Sequence, residues 1–101
     1  MPDLTAKQRA HLKSLAHRLK PVVHVGKEGV TEDVGGSVLD ALQTRELLKV
    51  KVLEAAPLDA RGTGRELAER LEDVHLVQVI GRTVVLYRRH PEAPEIRLPD
   101  G

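Results

Sequence analysis

Apolar residues recur at three- and four-residue spacing near the start of the chain. Leu12, Leu15, Ala16 and Leu19 mark the buried stripe of an amphipathic helix over residues 6–19. Thr5 followed by Gln8 has the form of a capping box at its start. Arg9, Lys13, His17 and Lys20 form a second, basic stripe along one edge. Pro21 forbids further helix and pushes Lys20 toward extended geometry. A short β-branched run, Val22 to Val25, then reads as a strand. Thr31 is an N-cap, with Glu32 and Asp33 at the positive end of the second helix dipole. That helix buries Val34, Val38, Ala41 and Leu42. Gly35 and Gly36 each cost it about 1 kcal/mol relative to Ala, and close packing on a neighbour is one reason a chain would tolerate them.

Further on, Leu48, Val50 and Val52 alternate with Lys49 and Lys51, the period of a half-buried strand. Pro57 and Asp59 mark a loop and the start of a third helix with Leu67, Ala68 and Leu71 on its apolar side. Gly62 and Gly64 weaken the first turns of that helix. Val74 to Ile80 is a third strand, Gly81-Arg82 a two-residue hairpin and Val84 to Arg88 a fourth strand. The order α-β-α-β-α-β-β predicts an α/β chain of the two-layer α+β kind, a mixed four-stranded sheet packed with three helices. Right-handed crossovers join its parallel strands and the closing hairpin adds an antiparallel one. Residues 1–89 form a single domain, and the proline-rich stretch 90–101 an extended tail.

Composition narrows the picture. A chain of 101 residues fits one domain. Its core is aliphatic, since there is no Phe, no Trp and one Tyr. Without cysteine there is no disulfide framework and no thiolate metal site, which fits a reducing compartment. No apolar run approaches signal-peptide length or the roughly 20 residues of a membrane span, so a cytoplasmic domain with no membrane partner is expected. The formal net charge of +1 conceals an asymmetry. No acid lies between Asp3 and Glu28, whereas Lys7, Arg9, Lys13, Arg18, Lys20 and Lys27 all do. Segregated positive charge is the footprint of a polyanion binder; a solvated helix face would carry the same residues.

The stretch Gly26-Lys27-Glu28-Gly29 joins a strand to a helix N-terminus. Backbone N–H groups and the helix dipole favour an anion there, glycines permit close approach and a lysine supplies mobile charge. This is the logic of a G-x-x-G loop that clamps a nucleic-acid backbone. A simple tight turn uses the same residues, and Glu28 opposes an anion unless it points away. The lysine between the glycines excludes a P-loop, and the missing third glycine a dinucleotide fingerprint. The histidines at 11, 17, 24, 75 and 90 form no pair with metal-ligand spacing. No Ser-His-Asp or paired-carboxylate constellation is present. The chain therefore reads as a non-enzyme with no catalytic residue, metal, cofactor or small-molecule substrate, and as a monomer. A single aromatic residue, Tyr87, cannot build the stacking platform used by many single-strand readers. Any RNA contact would run through phosphates and 2′-hydroxyls, with Arg and Lys dominating.

The segment K-Q-R-A-H-L-K-S-L-A-H-R-L-K-P-V-V-H-V-G-K-E-G-V-T-E-D-V resembles the opening of the YhbY family, the stand-alone bacterial form of the CRM (chloroplast RNA splicing and ribosome maturation) domain. L-L-K-V-K-V at 47–52, V-Q-V-I-G-R-T-V-V-L-Y-R at 77–88 and the I-R-L-P ending are similar too. The resemblance implies a fold like the C-terminal domain of translation initiation factor three. It also implies RNA binding on precursors of the large ribosomal subunit. Its expected RNA contact is the loop Gly26, Lys27, Glu28 and Gly29, with Thr31 behind it. Arg9, Lys13 and Lys20, with Lys7 and Arg18, would extend that contact. Lys49, Lys51, Arg82 and Arg88 are weaker candidates, because a strand's polar face is often only solvated. Glu28, Gly35-Gly36 and Gly62/Gly64 depart from the family pattern. The competing reading is a protein-interaction module docking on ribosomal proteins or assembly factors without gripping RNA.

Overall fold

The computed structural model describes residues 3–101. Helix α1 (Ala6–Ala16) opens with the full capping box, Thr5 and Gln8 each accepting from the other's backbone N–H at 3.0–3.1 Å. It is followed by β1 (Pro21–Val25), α2 (Glu32–Ala41), β2 (Leu47–Val52), α3 (Ala60–Arg70), β3 (His75–Ile80) and β4 (Thr83–Tyr87). Thr31 caps α2 through Val34 N–H at 3.1 Å, and Asp59 caps α3 through Gly62 N–H at 2.7 Å. The sheet order is β1-β2-β4-β3. Strands β1 and β2 are parallel, and β4 runs antiparallel between β2 and β3.

The α+β class with three helices on a mixed four-stranded sheet stands. The layering differs from expectation, because helices pack on both faces of the sheet, with α1 covering only part of one. Val23, Val25, Leu48, Val50, Val52, Val84 and Leu86 pack with Val38 and Leu42 of α2 and Leu67 of α3. Leu47, Val77, Val85 and Tyr87 pack with Leu12 and Ala16 of α1 on the opposite face. Alternation along β2 and β4 sends successive side chains into these two cores. A two-layer prism would need one of these faces to be polar throughout, and it is not.

Helix α1 ends at Ala16, one turn before the predicted Leu19. Leu19 N–H bonds Ala16 O at 2.9 Å and closes a turn that delivers Pro21 to the sheet. The predicted buried stripe is therefore half right. Leu12 and Ala16 are buried, but Leu15 and Leu19 are 42% and 37% exposed, and Leu4 fills the core instead. The basic stripe is also cut short, since His17 is the C-cap and Lys20 lies beyond it.

Gly64 lies where α3 presses on the sheet. A Cβ there would come within 2.8 Å of Leu76 and 3.2 Å of Val84. What looked like a weak first turn is a close helix–sheet crossing. Gly35 and Gly36 have no such reason. A Cβ on Gly35 would make an ordinary 3.7 Å contact with Leu71, and one on Gly36 would meet nothing within 4 Å.

Residues 90–101 carry no helix or strand, yet Ile96 and Leu98 pack on the α1-side core. Buried Glu46 accepts backbone N–H bonds from His90 (2.7 Å), Glu95 (2.8 Å) and Ile96 (2.7 Å). Gln8 donates to Pro99 O at 3.1 Å from the other side.

Candidate nucleic-acid interface

The G-K-E-G loop leaves the C-terminal end of β1 and enters α2. Gly29 N–H donates to Gly26 O at 2.9 Å, closing a tight turn. The two glycines are not equivalent. Gly29 is buried, has φ +72°, and a Cβ on it would come within 2.9 Å of Pro57 Cγ. The turn itself therefore demands glycine there. Gly26 has no left-handed backbone, and its Cβ would stand 3.8 Å from Leu53 Cδ1, an ordinary contact. Nothing in the fold requires glycine at position 26.

Lys27 and Glu28 are exposed at the tip. The backbone N–H groups of Lys27, Glu28 and Val30 have no protein partner among the described residues. Thr31 is committed to its cap, so its hydroxyl oxygen accepts from Val34 rather than facing outward. Arg70 of α3 donates to Val30 O at 2.9 Å and pairs with Glu66 at 3.2 Å, fixing the far side of the loop. Glu28, Glu32 and Asp33 surround this site, so attraction for an anion rests on Lys27 and the free N–H groups more than on a net positive field.

Beside the loop lies the uncovered part of the α1-side face. Helix α1 covers Leu47, Val77, Val85 and Tyr87 and stops there. Val22 and His24 of β1, Lys51 of β2 and Ile80 of β3 are exposed, and Lys49 is half-buried. His24 pairs with Lys51 and Val25 with Val52, so this open face runs directly to Gly26. Lys13, His17 and Arg18 stand along its opposite border with Lys49. The tip of the loop and the last turn of α1 thus bracket one basic, uncovered strip of sheet.

The remaining predicted residues separate. Lys7 and Lys20 are exposed, the latter in the turn before β1. Arg9 is half-buried and turned to the β3 edge, where its Nη1 donates to Leu76 O and Val77 O. It shares with Lys13 a cleft along β3 and does not line the groove that Lys13 forms with Arg18 and Lys49. Arg82 pairs loosely with exposed Glu54 at 3.7 Å, and Arg88 has its Nε buried without a hydrogen-bond partner.

Titrations are perturbed away from this strip. Burial lowers the pKa of His75, with Arg9 acting in the same direction and Asp3 and Asp73 opposing. Burial raises that of Tyr87, with the Glu46 charge adding to it. His75 lines a cleft with Asp3, Lys13, Glu69 and Asp73, and Tyr87 one with Arg89 and Arg97. Among the described residues no cluster of three His, Cys, Asp or Glu could hold a metal ion, and no helix is long and apolar enough to cross a membrane.

The fold and loop define a small α+β domain with a G-x-x-G turn at the margin of a basic sheet face. The sequence profile of the CRS1/YhbY (CRM) domain matches residues 4–88, and the chain belongs to that family. It is 41% identical over 96 residues to the probable RNA-binding protein YqeI of Bacillus subtilis, covering 95% of this chain and 99% of that one. An RNA-binding protein of Haemophilus influenzae is 41% identical over 99 residues, covering 98% of each chain. The solution structure of the hypothetical protein SAV1595 from Staphylococcus aureus superposes with a TM-score of 0.81 at 41% identity, covering 96% of this chain and all of that one.

Proposed function

We propose that this protein binds RNA, that the G-K-E-G loop grips the RNA backbone, and that the target is ribosomal RNA in precursors of the large subunit. The observation that carries the loop assignment is the asymmetry of its glycines. Gly29 is explained by the turn, whereas Gly26 is explained by nothing inside the protein. A glycine that the fold does not need, beside an exposed lysine and three unpartnered N–H groups, suits close approach of a phosphate or ribose. The names of the relatives support RNA as the partner. The ribosomal assignment rests on the family resemblance.

Binding here is a backbone grip and not a stacking platform, since the open face carries aliphatic and cationic groups and the single imidazole of His24, with no Phe, Tyr or Trp. No catalytic role follows from it. The test is association of purified protein with large-subunit ribosomal RNA fragments over a salt series. The proposal expects affinity to fall steeply with salt, because each phosphate neutralised releases counterions. It also expects the protein's association with assembling particles to be nuclease-sensitive. Salt-insensitive, nuclease-resistant association would favour docking on a protein partner instead.

A further inference from the structure

We propose a second RNA subsite, a ribose–phosphate groove between the end of α1 and the open half of the sheet, in which Gln78 tells RNA from DNA. The inference rests on the RNA-binding reading above and adds a site and a specificity residue to it.

The groove is lined by Lys13 of α1, by His17 and Arg18 of the turn that follows it, and by Lys49, Gln78 and Ile80 from the sheet. It has no acidic lining residue. Lys13, Arg18 and Lys49 form no ion pair among the described residues, whereas Arg70 and Arg82 do. Three unneutralised cations facing one groove suit phosphate.

Gln78 reaches this groove because β3 is bulged. The pairing shifts between Leu76 and Gln78, so that Leu76 opposes Leu86 while Gln78 opposes Val85. Strict alternation would place Leu76, Gln78 and Ile80 on one face. The bulge instead leaves Leu76 and Val79 packed on the α2/α3-side core, and turns Gln78 and Ile80 to the α1 side beside Val77. Bulges re-aim side chains in this way. Arg9 holds this one, donating to the carbonyls of Leu76 and Val77 from α1.

The Gln78 amide makes no hydrogen bond among the described residues. Among the residues lining the groove, Ser14 spends its hydroxyl proton on His11 O at 2.6 Å, and Gln78 is the amide on offer beside the His17 imidazole. An amide both donates and accepts. A 2′-hydroxyl does the same, and it is the group that distinguishes RNA from DNA.

The experiment compares oligouridine with oligodeoxyuridine of about 16 nucleotides, at the upper end of known single-strand site sizes. Wild type, Gln78→Met and the double variant Lys49→Met/Arg18→Met are measured over a salt series. Wild type is expected to prefer RNA. Gln78→Met should lower RNA affinity about five-fold, the worth of a hydrogen bond or two, and leave DNA affinity and salt slope unchanged. The double variant should weaken both strands and make the slope shallower by about 1.4, at roughly 0.7 per cation on single strands. An unchanged RNA-to-DNA ratio in Gln78→Met, or an unchanged slope in the double variant, overturns the groove. So does a wild type that binds ribosomal RNA fragments but neither oligonucleotide. A wild type that binds none of these overturns the RNA reading itself.

Discussion

Glu46 and Ile96 are fifty residues apart in sequence, and the carboxylate of the first accepts the backbone N–H of the second at 2.7 Å. Glu95 and His90 donate to the same buried carboxylate. Burial alone would raise its pKa, but the three N–H donors and the nearby His90 outweigh burial and hold it below its ordinary value. A lowered folded-state pKa means the stabilisation is present above the ordinary carboxylate range. It is lost as pH falls through the lowered value. Hydrogen-exchange protection at Glu95 and Ile96 should therefore hold at neutral pH and collapse in acid. In Glu46→Gln it should be weak throughout, with stability reduced by about 1.5 to 3 kcal/mol. Protection in the variant equal to wild type would show that Ile96 and Leu98 hold the tail by packing alone.

The glycines of α2 and of the loop predict opposite signs. Gly36 is exposed in a helix interior with open space where a Cβ would stand. Gly36→Ala should raise stability by about 1 kcal/mol, which for a domain of this size raises Tm by roughly 4–8 °C. Gly29→Ala should lower it, since both the positive φ and Pro57 oppose a side chain. Thermal denaturation of the two variants settles both signs, and a destabilised Gly36→Ala would reveal a packing role that the structure does not contain.

Arg9 was a candidate for the RNA face on sequence grounds, and its bonds to Leu76 and Val77 predict a structural effect instead. Arg9→Ala should cost about 1.5 to 3 kcal/mol, as expected for hydrogen bonds from a charged group. It should also loosen exchange protection along β3 in the absence of any RNA. A variant with wild-type stability and protection would return Arg9 to the binding surface.

Much of this architecture was legible because it is local. Thr5 with Gln8, Thr31 and Asp59 announce three helix starts through caps that involve residues three apart. The Lys49 and Lys51 alternation announces β2 in the same way. Long-range features were not legible. The bulge that turns Gln78 is held by Arg9 from sixty-seven residues away, and the plain period of β3 points Gln78 elsewhere. Glu46 carries no signal in the sequence, because its partners are backbone groups in the tail. The early end of α1 followed from a turn that must deliver Pro21 to the sheet edge, and periodicity carried Leu15 and Leu19 one turn too far. Within the loop the motif was plain in sequence, but the division of labour between Gly26 and Gly29 needed Pro57 and Leu53 to be placed around them.

The central claim is that the G-K-E-G turn grips RNA, and reversing the charge at its tip tests it most directly. Lys27 is exposed and bonds nothing among the described residues, so Lys27→Glu should leave the thermal transition where it is. Affinity for a large-subunit ribosomal RNA fragment is measured for wild type and variant across a salt series. The account predicts a loss of about ten-fold or more at low salt and a shallower salt slope in the variant, at unchanged Tm. Equal affinity and equal slope in the two proteins would contradict it and reduce the turn to a corner of the fold.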